Sequence, residues 1–153
     1  MSDSGTDRIE KSIVLNAPRA RVFHALTDSR EFGAWFGAVF DGAFAPNRAM
    51  RGKITTRGYD HLTIEILVER IEPGRLFSFR WHPYAIDPAV DYSQEPTTLV
   101  TFTLEDAPGG TRLTVVESGF DAIPAARRQE AFRMNAQGWE AQMKNVERHV
   151  GTA

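Results

Sequence analysis

Residues 97–120, TTLVTFTLEDAPGGTRLTVVESGF, decide the fold. Two runs of alternating apolar and polar residues flank an Ala-Pro-Gly-Gly turn, the pattern of paired antiparallel strands. The second run leads into residues 124–150, where Phe132, Ala136, Trp139, Met143, Val146 and Val150 recur at spacings of four and three. That periodicity predicts one amphipathic helix of about 27 residues, roughly 40 Å long, opened by Pro124 and buried along one side. A sheet followed by such a helix predicts a sheet wrapped around it. The inward register of the second strand reads Leu113, Val115, Glu117, which sets a carboxylate where a core favours another valine.

Upstream, residues 8–16 end in an alternating run closed by Ala17-Pro18 and read as a first strand. A short helix follows with Val22, Phe23 and Leu26 on one stripe. Asp28 stops it and caps a second, SREFGAWFG, with Glu31 in the capping-box position. From Val39 to Trp81 the pattern has period two, a meander whose best strands are HLTIEILVERI and RLFSFRWHP, joined by a tight turn at Glu72-Pro73-Gly74. Leu62, Ile64, Ile66 and Val68 share one face of the first, and Phe77, Phe79 and Trp81 one face of the second. Residues 83–96, PYAIDPAVDYSQEP, carry three prolines and no periodicity. A loop of this length points to a lid or a binding element.

The chain has 153 residues, 42% hydrophobic and 25% charged, with ten Phe and three Trp, the make-up of a globule with one core. A single domain over 1–153 is expected, with residues 1–7 disordered. A net charge of −2 with scattered arginines lacks the footprint of nucleic-acid binding. The absence of cysteine excludes disulfides, thiolate zinc sites, iron–sulfur clusters and Cys nucleophiles. The polar N-terminus has no signal-peptide core and no window offers the ~20 apolar residues of a membrane span, which places the chain by default in the cytoplasm. His24, His61 and His149 lack metal-site spacing, so no metal and no other cofactor is expected.

The motifs APRARVFHALTDSREFGAWF (17–36), IEPGRLFSFRW (71–81), GGTRLTVVESGF (109–120) and Gly138-Trp139, in that order, resemble the START-like or Bet v 1-like (SRPBCC) helix-grip superfamily. Within it the chain is similar to the family named for the activator of the Hsp90 ATPase homologue. The resemblance implies an α+β fold: a curved antiparallel sheet of six to seven strands gripping the C-terminal helix, with two short helices closing a cavity. In many relatives that cavity holds an apolar or amphipathic molecule. The eukaryotic chaperone-activating members use an additional N-terminal domain, which is not expected in this chain. The loop at 83–96 resembles a subgroup that carries the name vanillate O-demethylase oxidoreductase. Such a reductase needs flavin, nicotinamide and iron–sulfur modules, and this sequence has neither a Gly-rich phosphate loop after a strand nor a cysteine.

Three readings follow. In the first, which the residues favour, the protein binds a small hydrophobic or amphipathic ligand, an apolar or aromatic molecule, in a cavity between sheet and helix. Trp35, Phe36, Phe79, Trp81, Phe102, Trp139 and Met143 form its walls, Glu117 orients a polar group, and His82, Tyr84 and Tyr92 rim the mouth. In the second, Glu117 is the general acid or base of a cofactor-free cyclase or hydrolase. In the third, implied by the family name, the partner is an Hsp90-type chaperone in a stress response. The alternative for Glu117 is a structural carboxylate held by an Arg or a Trp N–H. His82 has the alternative of facing solvent, being out of register with Phe79 and Trp81. Arg127, Arg128, Arg133 and Arg148 read as the solvated side of the last helix.

Overall fold

A computed structural model describes residues 7–87 and 89–151. The chain runs β1 (Arg8–Leu15), α1 (Arg19–Thr27), α2 (Ser29–Phe36), β2 (Ala38–Phe40), β3 (Ala49–Ile54), β4 (Thr63–Glu72), β5 (Leu76–Trp81), β6 (Thr98–Ala107), β7 (Gly110–Ser118) and α3 (Ala125–Gly151). The strands form one curved antiparallel sheet in the order β1-β7-β6-β5-β4-β3-β2, with α3 against its inner face. This is the α+β helix-grip arrangement. The expected disorder at 1–6 lies outside the described residues. Asp7 is placed, and its carbonyl accepts from the backbone N–H groups of Gly119 and Phe120 at 3.1 Å.

The Asp28 cap forms as the sequence predicts, with Oδ1 accepting from the backbone N–H groups of Arg30 and Glu31. The reciprocal half of the capping box does not, because the Asp28 N–H is already spent on the His24 carbonyl. Glu31 turns outward and joins all three helices, accepting from Arg21 of α1 at 2.7 Å, from His149 of α3 at 2.8 Å and from His24. Burial opposes its charge, but the donors His149, Arg21 and His24 and the Arg21 charge outweigh that and bring its pKa from 4.5 down to about 2. A carboxylate with a depressed folded-state pKa stabilises the fold above its unfolded value and loses that stabilisation as pH falls. Wild type should therefore exceed Glu31→Gln by about 2 kcal/mol near pH 6, after discounting for partial exposure. The difference should shrink steadily between pH 4.5 and 2. Urea titrations of both proteins across that range measure it, and a pH-independent difference would remove Glu31 as the cause.

The meander carries one irregularity that period two did not predict. Val68 pairs with Phe79 but Arg70 pairs with Ser78, so Glu69 is an extra residue, a β-bulge. The bulge shifts the phase of β4: Ile66 and Val68 are buried before it, and Ile71 packs against the core after it.

The inward residues of β5, β6 and β7 meet α2 and α3 in a core built largely of rings. Phe32, Phe77, Phe79 and Phe102 are fully buried, and Phe32 alone lies within 6.4 Å, centroid to centroid, of six other rings. Phe77 stands opposite Phe102, and Phe102 opposite Val115, so rings extend across neighbouring strands. This packing fills the middle of the grip. Open space remains toward one end of the sheet, beside the long loop.

Candidate functional site

Glu117 keeps the alternation of β7: Leu113, Val115 and Glu117 are all fully buried. It stands opposite Val100 of β6 and Ile9 of β1. A buried carboxylate must have its lone pairs matched by donors, and here four side chains supply them. Oε1 accepts from the Trp139 indole at 2.8 Å and from Asn135 Nδ2 at 3.0 Å. Oε2 accepts from the Trp81 indole at 2.7 Å, the Thr98 hydroxyl at 2.5 Å and Asn135 Nδ2 at 3.2 Å. The arrangement follows from two local rules. Trp81 and Thr98 face each other in the ladder between β5 and β6, and Asn135 and Trp139, four apart, share a face of α3. The two indoles stack with centroids 5.8 Å apart, each turning its N–H to the carboxylate. Among the described residues Glu117 has no cationic partner.

Beside this cluster lies a pocket of about 500 Å³, between the C-terminal end of α2, the β3–β4 connection, the end of β5, the long loop and α3. Phe36, Ile64 and Trp81 supply apolar walls, with Asn135 and Gln142 contributed by α3. His82, Tyr84 and Tyr92 all line it. Trp35, Phe79, Phe102, Trp139, Met143 and Glu117 do not, being packed behind the wall that Phe36, Trp81 and Asn135 form. Trp81 and Asn135 thus touch both the pocket and the buried carboxylate.

His82 is half-buried and bonded rather than facing solvent: its Nε2 donates to the Glu95 carbonyl at 3.1 Å, which assigns the hydrogen to that nitrogen. Tyr84 has φ +51°, a left-handed conformation uncommon for a ring-bearing residue and often found at binding sites. Burial, then the nearby Glu130 charge, holds its phenol above the usual range, so the ring presents a hydroxyl.

The loop is organised locally. Asp87 Oδ1 accepts from Ala89 N–H, Asp91 Oδ1 from Ser93 N–H, and the Tyr92 hydroxyl accepts from Asp87 N–H. Arg127, expected on the solvated side of α3, instead ties the loop to the helix. Its Nε donates to Glu95 Oε1 at 2.9 Å, its Nη1 to the Pro83 carbonyl at 2.8 Å, and its guanidinium lies 4.8 Å from the Tyr92 ring centre. Its Nη2 lies 2.7 Å from Glu95 Oε1 as an ion pair, off hydrogen-bond geometry. Asn135, Gln142, Thr98 and Arg127 are the residues that sequence reading missed. Asn135 carried a signal, a polar residue four before Trp139 inside the apolar series of α3.

No group of three or more His, Asp or Glu among the described residues is placed to hold a metal ion, and no helix among them is long and apolar enough to cross a membrane.

The family described as Activator of Hsp90 ATPase homolog 1-like protein matches residues 16–151. No curated protein matches the chain. Among solved structures, a Mesorhizobium loti protein superposes with a TM-score of 0.75 at 21% identity over 95% of this chain and 98% of that one. A Nitrosomonas europaea protein gives 0.75 at 13% identity over 99% of each chain. DynU16, a protein of the dynemicin biosynthetic locus, gives 0.72 at 23% identity over 95% of this chain and 48% of that one, so this chain spans about half of DynU16. At such identities the likeness is one of fold. The matched span takes in β2 to β7 and all three helices, and the chain belongs to the Activator of Hsp90 ATPase homolog 1-like family.

Proposed function

We propose that this protein binds a small amphipathic molecule in the open pocket beside the long loop, with Glu117 as the buried support of its wall. The observation that carries the reading is the pocket itself. Its volume of about 500 Å³ falls within the range of small-molecule sites, and it joins aromatic and aliphatic walls to a few fixed polar groups. Members of this family commonly bind ligands or act as cyclases or chaperone co-factors. Catalysis by Glu117 is the weaker reading, because a general base needs a lone pair directed at substrate, whereas both Glu117 oxygens are engaged by protein donors and Glu117 does not itself line the pocket. A chaperone partner is supported by the family name alone.

The test is native mass spectrometry of freshly purified protein, joined to a thermal-shift screen of lipophilic compounds. A ligand at one hundred times its Kd should add about 2.7 kcal/mol, a rise of roughly 5–10 °C in Tm. Ile64→Trp, which fills the pocket, should abolish the shift. Absence of both a co-purifying molecule and any stabilising compound would end the proposal.

A further inference from the structure

We infer that the pocket selects ligands that present hydrogen-bond donors and positive charge, namely a protonated amine carried on an aromatic or aliphatic body. This rests on the ligand-binding reading above and concerns the sense of its polar groups.

The argument begins at Asn135. A carboxylate between two indole N–H groups is an acceptor, so the Asn135 amide must turn its Nδ2 toward Glu117, and both of its contacts with that residue run through Nδ2. Its Oδ1 is therefore directed away from the carboxylate. No described group donates to that oxygen, and it is not among the buried unpartnered side-chain atoms, Ser78 Oγ and Arg127 Nη2. Since Asn135 lines the pocket, the amide atom it has left to offer there is the acceptor Oδ1, in an orientation that Glu117 enforces.

Three other side-chain donors next to Asn135 or at the loop are spent elsewhere, which leaves His61, Thr56 and Thr63, on the β3–β4 side, as donors of the wall. The Trp81 indole N–H goes to Glu117, which leaves the ring to the pocket. Gln142 Nε2 donates to the Phe36 carbonyl, and its Oε1 accepts from Asn145. His82 Nε2 donates to Glu95. The hydroxyls of Tyr59, Tyr84 and Tyr92 can serve in either sense.

Charge points the same way. Of charged side chains the lining includes Asp87 and no Lys or Arg, with His61 and His82 as its imidazoles; Glu65 borders it along the strand, its own carboxylate lying on the outer face of β4 beside Arg51. The nearby cations have acidic company: Arg127 is paired with Glu95, Arg51 lies 3.5 Å from Glu65, and the influence of Arg133 on Tyr84 is opposed by Glu130. One face of Tyr92 is taken by Arg127, while Trp81, Tyr84 and Phe36 offer the electron-rich ring surfaces that attract ammonium groups. A carboxylate or phosphate ligand would meet the Asn135 acceptor, ring faces and the acidic Asp87.

The experiment compares three probes of nearly equal shape, 2-(1-naphthyl)ethylamine, 2-(1-naphthyl)ethanol and 1-naphthylacetate, by amide chemical-shift titration of the full chain at pH 7. The amine is expected to bind at least about tenfold more tightly than the carboxylate, with the alcohol between them. Asp87→Asn, an exposed change, should reduce the amine's advantage about threefold, and Asn135→Leu should reduce it further while the Asp87 variant guards against a folding defect in the latter. A carboxylate that binds as well as or better than the amine overturns the charge selectivity and leaves the ligand-binding reading standing. If none of the three shifts pocket amides at millimolar concentration, both fall.

Discussion

Glu117→Gln should destabilise the protein by about 3 kcal/mol although it preserves shape and volume, because each carboxylate oxygen receives an indole N–H. A glutamine has one oxygen and one NH2. In either amide orientation the NH2 meets a tryptophan donor head-on, at Trp139 in one and at Trp81 in the other. The Thr98 hydroxyl can rotate to accept, but the two indoles cannot. Glu117→Leu leaves those donors and the Asn135 amide unsatisfied in a dry site, for about 4 kcal/mol, somewhat less than a sum of separate penalties because an apolar side chain replaces a polar one. For a chain of this length these values correspond to Tm losses of roughly 10 °C. Thermal and urea melts of both variants measure them. A Glu117→Gln protein within 1 kcal/mol of wild type would mean that the carboxylate does not hold the two indoles.

The second large effect concerns two glycines in helices. Alanine normally stabilises a helix relative to glycine by about 0.5–1 kcal/mol. Gly138, exposed on α3, has open space where a Cβ would sit, so Gly138→Ala should show that gain. Gly33 in α2 should show the opposite. A Cβ there would lie 2.1 Å from the Ala38 carbonyl oxygen, and that backbone is held from both sides. Gly37, in a left-handed conformation, turns the chain back with its N–H on the Gly33 carbonyl, and Ala38 pairs with Ile54 of β3. Relief requires moving α2 from β2, so Gly33→Ala is expected to destabilise by about 3 kcal/mol. Paired urea melts give the sign directly, and a Gly33→Ala protein as stable as wild type would contradict the close approach.

These two sites show how differently sequence and space carry information. The order of elements, the Asp28 cap, the inward face of β7 and the long helix were legible because each rests on a local period or a short motif. The Glu69 bulge was not, since Leu62 to Val68 alternate without a fault and the extra residue is defined only by pairing with β5. The location of the pocket was also hidden. Periodicity says that Phe32, Phe77, Phe79 and Phe102 point inward, but only their summed volume shows that they occupy the middle of the grip and leave space toward one end. Arg127 looked like any solvated arginine until the loop that it holds came within reach.

The carboxylate of Glu117 also bears on how the chain completes itself. Its donors lie 36 residues upstream at Trp81, 19 upstream at Thr98, and 18 and 22 downstream at Asn135 and Trp139. Until α3 docks, the inner face around Glu117 is open and water matches its carboxylate; docking exchanges that water for Asn135 and Trp139, and only a helix that brings both donors does so without loss. The last helix is thereby held to one register on the sheet, since a slip of a single residue would carry both donors off the carboxylate.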